Sequence, residues 1–245
     1  MDAPESVRRR SSAGNRPGTI QPLPFVGRRQ QISQLCELHS QQKNVLILGA
    51  AGIGKSALIE HLRQELSLLI SSKSDHLGEI CDGLEPELNL HPGELKLLKR
   101  KQVLREALKN AGRAVVFDGL GWTTPKVTSF IQSVADHAQV WICIRSERPW
   151  DVGHIWPFLV RFEKVDLQPF HPKETQEFVE ACVCAGRIPR DTLTIVDWLH
   201  RRSGGAPLVL RELFEELATG KYDLSSPHAL KRLDLDRRIH EVFPV

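Results

Sequence analysis

Lys55 and Ser56 close the run Gly49-Ala50-Ala51-Gly52-Ile53-Gly54-Lys55-Ser56, which fits the spacing G-x-x-x-x-G-K-[ST]. Those residue types in that order suit the binding of a nucleoside triphosphate. The glycines let the backbone curl until successive N–H groups point inward at phosphate oxygens. Lys55 is spaced to reach the β- and γ-phosphates, and the Ser56 hydroxyl to ligate Mg²⁺. Ala57 follows in the first turn of a helix whose positive end adds to the anion site. The flanks agree with the letters. Val45-Leu46-Ile47-Leu48 reads as a buried parallel strand, and Ala57 to Arg63 carries apolar residues at helical spacing. A chance glycine turn ahead of a helix rarely ends in Lys-Ser.

A second candidate follows Arg113-Ala114-Val115-Val116-Phe117, an apolar run that ends in Asp118. Ligands of open α/β sheets bind at the carboxyl edge, so a carboxylate there can hold Mg²⁺ directly or through water. The bland alternative is an aspartate capping the turn Gly119-Leu120-Gly121. Val140-Trp141-Ile142-Cys143-Ile144 repeats the design and ends in Arg145. Arg145 then either senses the γ-phosphate or is a solvated loop arginine; the sequence leaves both open.

The elements that must position these groups form a P-loop α/β/α sandwich with a mostly parallel sheet. An amphipathic helix is expected from about Gln30 to His39, and a basic one from Leu95 to Asn110. Leu68-Leu69-Ile70-Ser71 is the one candidate strand between the phosphate loop's helix and Asp118. Phe158 to Leu167 alternates apolar and polar residues, which predicts a strand with one wet face near the sheet edge. From His171 the pattern is helical: Pro172 to Cys184, then Asp191 to Arg201, then a helix after Gly205-Ala206-Pro207 reaching about Thr219. The expected organisation is a disordered basic tail over 1–21, a nucleotide core over 22–168, and a helical lid with a C-terminal tail over 169–245.

The chain has 245 residues and a net charge of +3, too small an excess to imply nucleic acid by itself. No apolar stretch approaches the roughly 18–20 residues that span a bilayer. The start also lacks the apolar segment of a signal peptide, so a cytoplasmic protein without a membrane partner is expected. Cys36, Cys81, Cys143, Cys182 and Cys184 have no metal-site spacing and read as reduced core cysteines. The arginines of residues 8–16 make either a solvated tail or an arm that touches an anionic nucleic acid.

Together, Phe25-Val26-Gly27-Arg28, the phosphate loop, Asp118, Arg145 and Gly205-Ala206-Pro207 resemble AAA+ ATPases of the STAND class, the signal-transduction ATPases. The resemblance spans roughly Pro22 to Thr219. It implies that Phe25, Val26, Gly27 and Arg28 pack beside the adenine, that Pro207 belongs to a segment closing over the nucleotide, and that Arg145 is the sensor of the fourth strand. It also implies a regulatory ATPase that controls self-assembly or grips a protein partner. One position departs from the pattern. AAA+ machines usually place a glutamate after the aspartate to activate water, and Gly119 stands there instead. Slow hydrolysis is therefore expected, as in a switch rather than a motor. The rival readings are a DNA-associated ATPase like the small regulators of transposition, supported by Lys96, Lys99, Arg100, Lys101 and Arg105, and a nucleotide-binding scaffold without turnover.

Overall fold

The computed structural model describes residues 23–91, 93–146 and 148–242. The basic tail expected over 1–21 lies outside the described residues. Five short segments, all but the last largely apolar, pair side by side: β1 (Val45–Leu48), β2 (Leu69–Ser71), β3 (Val115–Phe117), β4 (Val140–Ile144) and β5 (Glu163–Asp166). Their order is β2-β3-β4-β1-β5, and every pairing is parallel. Parallel strands need crossover connections, and helices supply them. Those of the core are α1 (Arg29–Ser40), α2 (Lys55–Leu62), α3 (Leu77–Glu87), α4 (Leu97–Ala111), α5 (Pro125–Ala135), α6 (Pro149–Val152) and α7 (Trp156–Leu159). The fold is thus an α/β P-loop sandwich with an all-parallel sheet.

Alternation along the strands divides the core in two. Leu46, Phe117 and Ile142 face one layer with Phe130 and Leu104, whereas Ile47, Val116, Trp141 and Cys143 face the other with Leu58 and Leu35. Because β1, β3 and β4 are buried on both faces, they read as continuous apolar runs. β5 is one of the two edge strands, and only Val165 of its residues is buried. The wet face expected of this segment is present, but the strand is shorter than Phe158 to Leu167. Trp156-Pro157 starts the short helix α7 instead, with proline in its first turn, and Phe158 meets Phe162 edge to face at 5.2 Å.

The C-terminal part is helical: α8 (Pro172–Cys184), a 3₁₀ turn over Arg190–Ile195, α9 (Val196–Ser203), α10 (Pro207–Ala218) and α11 (Pro227–Val242). The helix expected from Asp191 therefore begins as a 3₁₀ turn. These elements enclose a third apolar cluster, including Phe170, Phe178, Leu199, Leu213, Phe214 and Leu233, against which Leu23 and Val26 of the N-terminal segment pack. α11 joins this lobe through ion pairs of Arg237 with Glu212 (2.7 Å) and of Arg202 with Asp234. None of the cysteines forms a disulfide, and Cys81, Cys143 and Cys182 are buried. Cys184 is exposed, so it is not a core residue. No helix among the described residues is long and apolar enough to cross a membrane.

Candidate functional site

The loop after β1 and the loops after β3 and β4 open at the carboxyl edge of the sheet, where a cleft of 1560 Å³ lies between the core and the helical lobe. Its lining includes Phe25, Val26, Arg28, Ala51, Gly52, Ile53, Gly54, Lys55, Ser56, Ala57, Asp118, Arg145 and Pro207. Three of the expected site residues do not line it. Gly27 faces a smaller cavity of 380 Å³ beside Glu174, and Gly49 and Ala50 form the stem of the loop. Phe25 stacks on His61 with ring centroids 4.2 Å apart, which fixes one face of its ring.

Gly54 caps α2 with φ 97°, and the helix begins at Lys55. The Lys55 ammonium folds back and donates to the carbonyl oxygens of Gly49 at 2.6 Å and Ala50 at 3.0 Å. Burial lowers its pKa; the nearby Cys143 and Asp118 act against that shift, and Arg145 acts with it. Lys55, Asp118, Cys143 and Arg145 all line the same cleft. Asp118 is buried, and its Oδ1 accepts from the Gly119 amide at 2.8 Å. The buried Cys143 thiol beneath it is pushed well above its ordinary pKa, first by desolvation and then by Asp118. Arg145 and Ser56 are exposed in the cleft.

The donor set suits Mg²⁺. The Asp118 carboxylate accepts from the Gly119 amide and hydrogen-bonds to the Cys143 thiol, and its remaining lone pairs can serve a cation, with the Ser56 hydroxyl as a second hard ligand. No group of three or more His, Cys, Asp or Glu that could hold a metal occurs among the described residues. Two protein oxygens completed by phosphate and water are what Mg²⁺ accepts in nucleotide sites.

The helical lobe meets the phosphate loop directly. The Leu208 amide, in the first turn of α10, donates to the Gly52 carbonyl at 3.1 Å. Gly52 has φ 73°, and a Cβ there would fall 2.6 Å from Leu208 Cβ, so only glycine permits this approach. Below it, the Phe170 amide donates to the Gly205 carbonyl at 2.8 Å. Arg28 ties the same parts together from the other side. Buried and with φ 61°, it donates to the carbonyls of Gln168 at 2.5 Å and Ile53 at 3.0 Å. Its guanidinium lies 4.8 Å over the Phe170 ring. Burial lowers the Arg28 pKa, and Glu174 opposes that. Glu174 in turn accepts from the His171 amide at 2.9 Å and the Arg28 amide at 3.3 Å.

Residues 24–144 match the AAA ATPase domain family. The chain carries a P-loop AAA+ ATPase domain. Solved structures agree on the fold. The Orc1 protein of Aeropyrum pernix, determined in complex with DNA, superposes with a TM-score of 0.57 at 13% identity, covering 90% of this chain and 69% of that one. Cdc6p of Pyrobaculum aerophilum gives 0.59 at 14%, covering 84% and 64%. The Walker-type ATPase of Pyrococcus abyssi gives 0.58 at 14%, covering 91% and 76%. The chain thus spans about two thirds to three quarters of the length of these structures. No curated protein sequence matches it. The sequence motifs pointed to the phosphate loop, Asp118 and Arg145, and the structure brings Lys55, Asp118 and Arg145 to one cleft. They missed Phe170, Phe178 and Phe214, which line the apolar end of the cleft, and Asp75, which lines its edge. No spacing pattern marks those residues, because they reach the cleft only through tertiary packing.

Proposed function

We propose that this chain is an ATP-binding regulatory switch with slow, Mg²⁺-dependent hydrolysis, in which nucleotide sets how the helical lobe sits on the core. The observation that carries it is the convergence of Lys55, Ser56, Asp118, Arg145 and the first turn of α10 on one cleft. The phosphate-loop amides and Lys55 hold the phosphates, and Ser56 and Asp118 hold Mg²⁺, which neutralises developing charge on the phosphoryl group. The adenine rests at the apolar end near Leu23, Val26 and Phe170. Arg145 faces the γ-phosphate. Because α10 hydrogen-bonds to Gly52 of the loop itself, ATP and ADP can favour different seats of the lobe. A differential of about 1–3 kcal/mol between them would change partner affinity by about 5- to 150-fold. Gly119 in place of an acid supports the switch over a motor, and favours the STAND-like reading.

Mass measurement in solution with no nucleotide, with ADP and with a slowly hydrolysed ATP analogue tests the assembly part of the reading. Lys55→Ala should abolish ATP binding by calorimetry while the melting temperature stays near wild type. A folded Lys55→Ala that binds ATP as wild type does would overturn the nucleotide site. A DNA-associated ATPase is the second reading, favoured by the exposed Lys96, which precedes α4, and Lys99 within it, and by the DNA complex of the Orc1 protein. Part of that basic face is already spent, since Arg100 pairs with Asp82 and Glu85, both at 2.5 Å. Duplex binding that requires ATP and falls steeply with salt would establish it.

A further inference from the structure

Position 119 is shaped for glycine. Its φ of 66° lies in the left-handed region, and a Cβ there would face the Ser72 carbonyl oxygen at 3.6 Å. A side chain at 119 would therefore project toward the segment that follows β2, and that segment carries a carboxylate of its own. β2 pairs with β3, and the Asp118 amide donates to the Ser71 carbonyl at 2.9 Å, so the two loops leave the sheet side by side. The turn is braced by Ser71 Oγ donating to the Lys73 carbonyl at 2.8 Å. At its end Asp75 lines the cleft, with Oδ1 accepting from the Gly121 amide at 2.8 Å. One carboxylate oxygen is thus pinned to the loop that carries Asp118, and the exposed side chain keeps a second oxygen for a proton.

The other carboxylates of the cleft are less suited. Glu60 pairs with Arg63 at 3.2 Å and Glu215 with Arg211 at 3.1 Å, while Asp118 is committed to the Gly119 amide and to the cation. Asp151 stands on α6, which is tied to Thr123 at the far end of the Asp118 loop through the Val152 carbonyl, whereas Asp75 is bonded to Gly121, three residues from Asp118. We propose that Asp75 is the general base of ATP hydrolysis in this chain, a role that rests on the ATP-binding reading above. Its carboxylate takes a proton from water as the water oxygen bonds to the γ-phosphorus. The bond from that phosphorus to the β–γ bridging oxygen breaks, and the electron pair leaves with ADP. Inorganic phosphate is the second product, and the proton passes from the exposed carboxyl to solvent.

Asp75→Asn tests this, because the amide oxygen can still accept from Gly121 while the basicity is lost. Single-turnover hydrolysis should fall by about 100-fold or more, and ATP affinity by calorimetry should stay within about twofold. Hydrogen exchange at the Gly121 amide should remain as slow as in wild type, which a merely structural role would not separate from turnover. Asp75→Glu should keep a measurable part of the rate. Should the Asn variant fold poorly, Asp75→Ser carries the same comparison. The proposal is overturned if Asp75→Asn hydrolyses ATP at the wild-type rate, if Asp151→Asn alone abolishes turnover, or if the wild-type chain binds ATP and never hydrolyses it. A wild-type chain that does not bind ATP at all overturns the nucleotide reading instead.

Discussion

Gly204 and Gly205 are adjacent, both have positive φ, and alanine should affect them very differently. Gly204 (φ 59°) caps α9, and a Cβ there would meet nothing within 4 Å. Gly205 (φ 74°) is pressed against the chain leading into α8, and a Cβ there would fall 2.3 Å from the Phe170 carbonyl oxygen and 3.0 Å from its nitrogen. Gly204→Ala therefore pays only for the left-handed backbone, about 1 kcal/mol. Gly205→Ala pays that and must also move one backbone segment away from the other. Overpacking of this kind costs about 1–3 kcal/mol. The separation also breaks the Phe170–Gly205 hydrogen bond, worth about 1 kcal/mol net. The second variant should thus lose about 3 kcal/mol more than the first. That is a large part of the roughly 5–15 kcal/mol that holds an ordinary domain together.

Urea denaturation of both variants reads the difference. The same displacement should be visible at the site, because Pro207 and Leu208 follow Gly205 and Leu208 holds Gly52 of the phosphate loop. ATP affinity should fall in Gly205→Ala and stay near wild type in Gly204→Ala. Equal losses of stability in the two variants would refute the close approach. Loss of stability in Gly205→Ala with unchanged ATP affinity would show that the lobe is not part of the nucleotide site.

Asp118→Asn should still bind ATP but lose the tightening produced by Mg²⁺, measured by calorimetry with and without EDTA, because a neutral amide is a poor ligand for a hard cation. Steady-state turnover of the wild-type chain should stay below about 1 s⁻¹ at saturating ATP. Stability should also fall in alkali. Burial pushes the Cys81 and Cys182 thiols up to about 11 and the Cys143 thiol well above 9.0. The unfolded chain then gives up these protons first, binds fewer of them than the folded chain, and gains stability relative to it as pH rises from about 9 toward 11. Thermal melts across that range should flatten when Cys81 and Cys182 are replaced by alanine, relative to the same variants at pH 7. Alkylation at neutral pH should mark Cys184, which is exposed, long before the three buried thiols.

Much of the sheet could be read from the sequence because β1, β3 and β4 are wrapped on both faces. Such strands cannot afford polar residues, so they appear as unbroken apolar runs ending in the groups that do the chemistry. α8 was legible to the residue, since Pro172 opens it and Glu174 sits in its first turn. α3 was not. Gly78, Gly83 and Pro86 argue against a helix by propensity, yet Ile80, Cys81 and Leu84 are fully buried against the sheet and hold it in place. Gly83 has a tertiary reason to be there, because a Cβ would come within 3.2 Å of Ser71 Oγ on β2.

The harder part to read was how the core and the lobe depend on one another, and Arg28 shows why. As one letter of Phe25-Val26-Gly27-Arg28 it resembles a residue placed beside a base. In the folded chain its guanidinium is occupied with the carbonyls of Gln168 and Ile53 and with the Phe170 ring, positions far apart in sequence. Ile53 belongs to the phosphate loop and Phe170 bonds to Gly205 of the lobe. A shift of the loop on taking up phosphate must therefore be felt at Arg28, and from there at Phe170, as well as through Gly52 and Leu208. On the switch reading these two connections, one on each side of the loop, carry the state of the nucleotide to the helical lobe. Neither leaves a periodic mark in the sequence, because each joins single residues across the fold rather than repeating along an element.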